Sequence, residues 1–594
     1  MEKTLHPRYR EFSIAVLLAF GLIVLQILIG GRRPLFAYSG YLVIGAVGIF
    51  AVLAWWPTRS HANPLCLLAS VFLFGYMLAR SLISDVPYFA RPDFFCVLAA
   101  LVAYGLCVTV LSGPTPRMIV LGLLIVFALG QVFIGLIQFS RADNFMLIGA
   151  LQRTDYGQRA SGFYVCPNHL AGLLEVIGVF GLSFALWSRW PLWAKLLAGY
   201  ATAACFAGVA LTASRGGYVS TMAGILAFLL LSVLASRFAD RQTFFRYGIG
   251  GLVIAALAVA LAGTLLFKSS YLHDRAGNIV DTKNVRLRLW EAAVQQWKLQ
   301  PIVGTGGGTY LFYGRQFRAA DMQNDPVDVH NDYLHLLAEY GVVGFAGFLL
   351  FFGAHVRRGV KSFRHFSRQK HARSSRPASN RLALNIGALC ALATYTAHSV
   401  VDFNLHIPAN ALLMAFVLGM LANPGLHSMA EKKTTRFLSI LPRLAVGGAA
   451  LALLVQCARF YPGEYFAEKA RTALRDELPP ATTIAFAQKA LTYDRRNPEV
   501  YFYLGRAELA FGDWETDAEA RPAHLARAAE NFLHAHAVAP LDGTYPLNAA
   551  YVLDRLGRFS EAENLYGIAR GQDPRAIALA ELYNFHLYQW RQKL

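Results

Sequence analysis

The chain has 594 residues, 56% apolar and only 15% charged, with a mean hydropathy of +0.40 and a formal charge of +19. An ordinary soluble domain carries about 25% charged residues. The composition is therefore that of a polytopic membrane protein, and it excludes a soluble enzyme, a secreted disulfide scaffold and a fibrous repeat.

The positive excess does not point to nucleic acid. From Arg459 onward there are 16 Lys/Arg against 18 Asp/Glu, so the excess lies in the preceding apolar portion, where it is a topology signal. Seven cysteines (66, 96, 107, 166, 205, 390 and 457) are scattered, mostly within apolar runs, without paired spacing. They are packing residues rather than a zinc or redox site.

The predicted fold class is all-α. Lys3, Arg8 and Arg10 precede the first apolar run and no small-residue cleavage site follows, which makes it a retained span. A helix needs about 20 apolar residues to cross the hydrocarbon core. Thirteen runs approach that length, at 13–31, 35–56, 64–83, 94–111, 118–139, 167–187, 192–213, 217–235, 247–267, 334–355, 382–400, 405–422 and 437–457. Residues 1–457 thus form a bundle of about 12–13 spans. The segment 357–381 carries nine Lys/Arg and no acid, so it should be cytoplasmic. Counting outward puts the N-terminus, 236–246 and 423–436 inside, with Arg32 and Arg33 as the exception. The same count puts 140–166, the turn at Ser214, the loop 268–333 and everything after 457 outside.

Candidate chemistry gathers on that outer side. RASGFYVCPNHLAG (159–172) and HSVVDFNLHIPAN (398–410) interrupt apolar pattern with Asn168, His169, Asp402, Asn404 and His406. These could line a sugar-binding vestibule; helix capping accounts equally for Asn168 and Asn404. In TASRGGY (212–218), Arg215 sits where the positive-inside rule disfavours it, next to glycines that permit a tight turn. It reads either as a cavity-lining arginine or as one snorkelling to headgroups.

The 268–333 loop holds an amphipathic helix, NVRLRLWEAAVQQWKLQP, with Leu287, Trp290, Val294 and Trp297 expected on its apolar face. Arg286, one turn from Trp290, could pair a lipid phosphate bidentately or simply anchor the helix at the interface; Arg288 points elsewhere and is the weaker candidate. GTGGGTY (304–310) lacks both the third dinucleotide glycine and a Gly-Lys pair, so it is not a nucleotide loop; its glycines either form a flexible turn, the favoured reading, or let backbone N–H groups approach an anion.

DVHNDYLHLLAEYGVVG (328–344) brings His330, Asp332, His335 and Glu339 to the mouth of the tenth span. The five-residue His330 to His335 spacing does not suit a helical metal pair. A neutral imidazole near carboxylate and arginine suits general-base work on a hydroxyl, with a satisfied structural histidine as the alternative.

The tail, 458–594, is polar and helical in period. Pro498, Pro540 and Pro574 close successive segments, in a layout that resembles tetratricopeptide repeats. Such stacks either bind a partner or pack on their own membrane domain.

SRGG between two spans, RLRLWEAA with PIVGTGGGTY, and HNDYLHLLAEYG opening a span together resemble the bacterial O-antigen ligase and polymerase superfamily, over roughly residues 150–425. The resemblance implies a metal-independent glycosyltransferase in the bacterial inner membrane, with no cofactor expected, and displacement of a pyrophosphate leaving group in a single step predicts inversion at the anomeric carbon. The enzyme would use an undecaprenyl-pyrophosphate-linked glycan at the periplasmic face. It casts Arg215 and Arg286 as pyrophosphate-binding arginines and His330 as the catalytic histidine. Arg288, Asp332, Asn168, His169, Asp402 and His406 are the expected substrate-binding residues. The acceptor could be lipid A core, protein or the growing glycan, the last making the chain a polymerase. A transporter of lipid-linked sugar would need acidic residues near the bilayer midplane and broken helices in repeated halves, whereas Glu175 is the clearest intramembrane acid here and the polar groups gather at the outer rim. A scaffold acting through the tail would leave Arg215, Arg286 and His330 unexplained.

Overall fold

The computed structural model describes residues 7–54, 62–151, 153–154, 156–237, 253, 285–368, 379–425, 436–514 and 519–593. Among them there is no strand, in agreement with the all-α expectation. Eight helices come first: α1 (Pro7–Ile27), α2 (Pro34–Ala54), α3 (Pro64–Leu82), α4 (Pro87–Thr109), α5 (Pro114–Arg141), α6 (Pro167–Trp187), α7 (Leu192–Leu211) and α8 (Arg215–Ser236). Proline opens each of α1 to α6, where its missing N–H would have no intrahelical partner and its fixed φ suits the first turn. There follow α9 (Val285–Leu299), α10 (Tyr310–Gln316), α11 (Asp332–Arg368), α12 (Asn380–His398) and α13 (Pro408–Ala422). The tail begins within α14 (Arg436–Arg475). It continues through α15 (Pro480–Tyr493), α16 (Pro498–Trp514), α17 (Arg521–Val538), α18 (Thr544–Arg555), α19 (Phe559–Gln572) and α20 (Ile577–Lys593).

Ten described helices, α1 to α8, α11 and α14, are long and apolar enough to cross a membrane. The expected spans at 382–400 and 405–422 correspond to α12 and the 15-residue α13. The expected span at 247–267 lies outside the described residues apart from Val253. So do 268–284, 369–378 and 426–435 of the expected loops.

The chain divides into two compact units. The first comprises Met1–Gly75, Phe95–Thr282 and Ala346–Leu454; the second comprises Tyr76–Phe94, Lys283–Phe345 and Val455–Leu594. In the first unit, α6 packs on α7 and α12, and α12 packs on α8. Every residue of α6 except Ala185 is buried, as expected of a helix apolar on all sides. In the second unit the tail, which sequence periodicity sets apart as 458–594, is grouped with the 283–345 segment and with the turn between α3 and α4. Its helix pairs bury Ala528, Phe532, Ala549, Val552 and Tyr566, the small residues letting neighbouring helices approach closely.

Candidate functional site

His330 lies in the second unit, immediately before α11. Asn331 starts that helix: its side-chain oxygen accepts from the N–H groups of Tyr333 and Leu334, both at 3.0 Å. His330 itself has φ +54°, a left-handed conformation unfavourable to a residue with a β-carbon. The surroundings hold it there. Val329 packs fully buried with Ala293, Tyr310 and Ala338, and Trp290 donates its indole N–H to the His330 carbonyl at 3.4 Å. The helix of Arg286 is thus docked on the His330 segment.

The docking face of α9 differs from the apolar stripe expected. Leu289, Ala292, Ala293 and Gln296 point inward and Trp290 packs against the same cluster, whereas Leu287 is 46% exposed and Val294 and Trp297 are intermediate. The reason is close approach: two alanines bring α9 near the Gly-rich loop, where the Gln296 amide donates to Thr305 (2.8 Å) and Thr309 (3.1 Å). Arg288 lies on the exposed side, paired with Glu291 at 3.5 Å and Asp321 at 3.7 Å.

The Gly-rich loop is a packed turn rather than a flexible one. Gly304, Gly306 and Gly308 all have positive φ, and a β-carbon on Gly304 would fall 2.3 Å from the Glu339 backbone. Its amides do cradle an anion, but that anion belongs to the chain. The Glu339 carboxylate accepts from Gly308 (3.2 Å) and Tyr310 (2.9 Å), with His335 at 3.4 Å. Across the loop, α11 breaks at Gly341 (φ +64°), where the N–H groups of Val342 and Val343 donate to the carbonyls of Pro301 and Ile302. Asp332 therefore stands buried in the first turn of a short, separately braced first segment of α11, and His330 lies two residues before it.

Arg215 belongs to the first unit, as the opening residue of α8. Ser214 caps this helix by accepting from Gly217 N–H at 3.2 Å, and Ala213 just before it has φ +50°. Beneath the turn lies a buried ionisable cluster. His398 Nδ1 is 3.0 Å from Glu175, Ser220 donates to Glu175, and His398 Nε2 is 4.0 Å from Asp402. A β-carbon on Gly216 would sit 3.4 Å from the His398 ring, so the α8 backbone rests directly on the imidazole. Arg159 ties in the preceding loop, donating to the Thr212 carbonyl and to Asn168, each at 2.8 Å.

Residues 200–349 match the Wzy_C family model, O-Antigen ligase. The matched segment is about a quarter of the chain and contains Arg215, Arg286 and His330. With the ten long apolar helices, it fits an O-antigen ligase-type membrane protein. Comparison with curated proteins gives no match. Among solved structures, the crystal structure of TTC0263, a thermophilic TPR protein of Thermus thermophilus, is 24% identical. The likeness covers 26% of this chain and 84% of that one at a TM-score of 0.20, too slight to bear on the fold.

Within the O-antigen ligase segment, Arg286 and His330 sit on elements that touch, while Arg215 is placed by a different set of contacts. The residues expected to line a vestibule gather in the first unit and are largely internal. His169 meets Phe403 edge-on at 4.9 Å, its carbonyl accepts from Asn410, and Asn410 also donates to Asn404. Asn168, His169, Asp402 and Asn404 are buried and His406 is partly exposed. Neither Asn168 nor Asn404 caps a helix: α6 follows Cys166, Asn168 accepts from Arg159, and Asn404 lies inside a short 3-10 turn. His398 and Ser220 escaped sequence reasoning. The available signal was the i, i+4 pair His398 and Asp402 on an apolar segment, because such groups must find partners such as Glu175. Among the described residues no group of three or more His, Cys, Asp or Glu side chains is arranged to hold a metal ion.

Proposed function

We propose that the chain transfers a glycan from an undecaprenyl-pyrophosphate-linked donor to an acceptor hydroxyl at the periplasmic face of the bacterial inner membrane, without a metal and with inversion. In this reading the N-terminus is cytoplasmic and the tail periplasmic. A ligase- or polymerase-type glycosyl transfer at the membrane is what the O-antigen ligase match supports. The observation that carries the finer reading is His330, inside the matched segment and held at φ +54° by Asn331, Val329 and Trp290. Strain of this kind costs about 1–3 kcal/mol and persists where the surroundings enforce it, commonly at functional sites.

His330 takes the proton of the acceptor O–H as the new C–O bond forms at the anomeric carbon. The bond to the pyrophosphate oxygen breaks, and its electron pair leaves with the pyrophosphate. Imidazole suits the first task because its ordinary pKa lies near the operating pH. Guanidinium suits the second, since its planar fork pairs phosphate oxygens and keeps its charge. Arg286 and Arg215 take that role. Arg288 and Asp332, near these groups in sequence, bind the glycan, as does His406. Asn168, His169 and Asp402 belong to the same substrate assignment and contribute from buried positions.

The test is transfer by purified protein in detergent or vesicles, with a polyprenyl-pyrophosphate glycan, candidate acceptors and chelator. Chelator-resistant transfer that His330→Ala loses supports the reading, and the labelled acceptor separates lipid A core, protein and growing glycan. Movement of the lipid-linked sugar across vesicles without transfer to any acceptor would replace it with the transporter reading.

A further inference from the structure

Three turns of the helical-repeat tail share one feature. Asp494 follows α15, Asp542 precedes α18 and Asp573 follows α19, so each joins one helix pair to the next. Each aspartate holds an arginine from elsewhere in the same unit. Arg91 pairs with Asp494 and also stacks over Phe460 at 4.2 Å. Arg315 pairs with Asp542 at 2.7 Å and reaches Thr544 at 3.2 Å. Arg318 pairs with Asp573.

Around these pairs the contact is continuous. Tyr88 donates to Glu464 (3.4 Å) and Glu499 (3.3 Å), and Phe89 packs against Ala535, Ala539 and Tyr545. Gln323 donates to the Arg575 carbonyl and accepts from Ile577 N–H, while Arg575 donates to the Arg318 carbonyl at 2.8 Å. The Arg315 and Arg318 side chains are nearly buried. Pairs of this kind, removed from water and fixed by further hydrogen bonds, specify one geometry far better than exposed pairs do.

The held segment leads directly to the catalytic histidine. Arg315 also grips Asp325 through two bonds of 2.8 and 2.9 Å, and Gly314 packs on Pro326, which closes 310–328 into a compact unit. Val329 and His330 come next. We infer that the helical-repeat tail is an intramolecular clamp, whose aspartate-bearing turns grip Arg91, Arg315 and Arg318 and thereby set the position of His330. This rests on His330 being the base of the proposed transfer. Asp542 and Asp573 are then positioning residues for it.

The test uses the full chain in detergent, with Asp542→Asn, Asp573→Asn, the double variant and the conservative Asp573→Glu. The double variant is expected to lower kcat by about tenfold to a hundredfold, as misplacement of a reacting group does, with donor KM nearly unchanged; Asp573→Glu retains most of kcat. Hydrogen exchange supplies a readout independent of activity. Amides of 317–330 should exchange faster in the double variant than in wild type, and Asp573→Glu should keep protection near wild type. Wild-type transfer together with wild-type exchange in the double variant would overturn the clamp. So would equal loss in Asp573→Glu and Asp573→Asn while both unfold at the wild-type temperature. If wild type transfers no glycan at all, the enzyme reading fails, and the exchange data still decide whether the tail grips the segment.

Discussion

Glu175 and His398 lie 3.0 Å apart, both wholly buried, on the two helices that flank the start of α8. Removing the imidazole leaves the buried Glu175 carboxyl with Ser220 as its remaining hydrogen-bond partner among the described residues. His398→Ala is expected to destabilise the chain by about 1–3 kcal/mol, the cost of leaving a buried polar group without its hydrogen-bond partner. Glu175→Gln, which retains hydrogen-bonding capacity at the same position, should cost less. Thermal unfolding in detergent compares the two, and an Ala variant as stable as wild type would remove the cluster's structural role.

Arg215 starts α8 directly above that cluster, with Ser214 as its cap. Arg215→Ala should abolish glycan transfer while membrane insertion and unfolding temperature stay near wild type. Wild-type transfer by this variant would sink the assignment of the pyrophosphate-binding arginine.

Asn331 both caps α11 and fixes the residue before it. Asn331→Ala should lose about 1 kcal/mol of stability, the usual value of a helix cap. It should also lower kcat more than that loss implies, because His330 is released from its left-handed backbone. A kcat equal to wild type would separate the cap from catalysis.

Gly341 cannot carry a side chain without cost. Its φ is +64°, and a β-carbon would lie 2.4 Å from the Ile302 carbonyl oxygen. Gly341→Ala combines left-handed strain of about 1–3 kcal/mol with a backbone collision that no side-chain rotation relieves. A lowered unfolding temperature and faster proteolysis of 285–345 are the expected results.

Burial holds the Glu499 carboxyl above its ordinary value of 4.5, while Tyr88 and Arg471 pull the other way and Asp542 and Glu468 add to the rise. Because the folded value exceeds the unfolded one, this group's stability is full below 4.5 and is lost as pH rises through the folded value. Glu499→Gln should therefore flatten the decline in unfolding temperature as pH is raised above about 4.5. An unchanged pH profile would show that Glu499 does not control it.

Much of the fold is legible locally. Apolar runs locate α1 to α8, with α1 and α4 starting six and seven residues earlier than expected, because span length is fixed by bilayer thickness, and prolines mark the starts of six of them. HNDY and SRGG can be singled out because polar groups there interrupt apolar pattern. The face of α9 is only partly legible: Trp290 of the expected stripe does pack inward, but Leu287 is exposed, and Ala292, Ala293 and Gln296 take the inner positions beside the neighbouring loop. GTGGGTY likewise cannot announce that its amides serve Glu339, thirty-odd residues further along.

By itself the sequence determined the class of molecule, an all-helical membrane protein with a helical-repeat tail, and the short motifs that contain Arg215, Arg286 and His330. These are properties of composition and of periodicity over a few turns, set by local hydrogen bonding and by the cost of exposing backbone to lipid. Only the tertiary structure decided that Glu175 meets His398, that Asp542 and Asp573 grip Arg315 and Arg318, and that α11 breaks at Gly341. The charge pairs join residues more than two hundred positions apart, and buried charge selects its partner through the packing that excludes water from both.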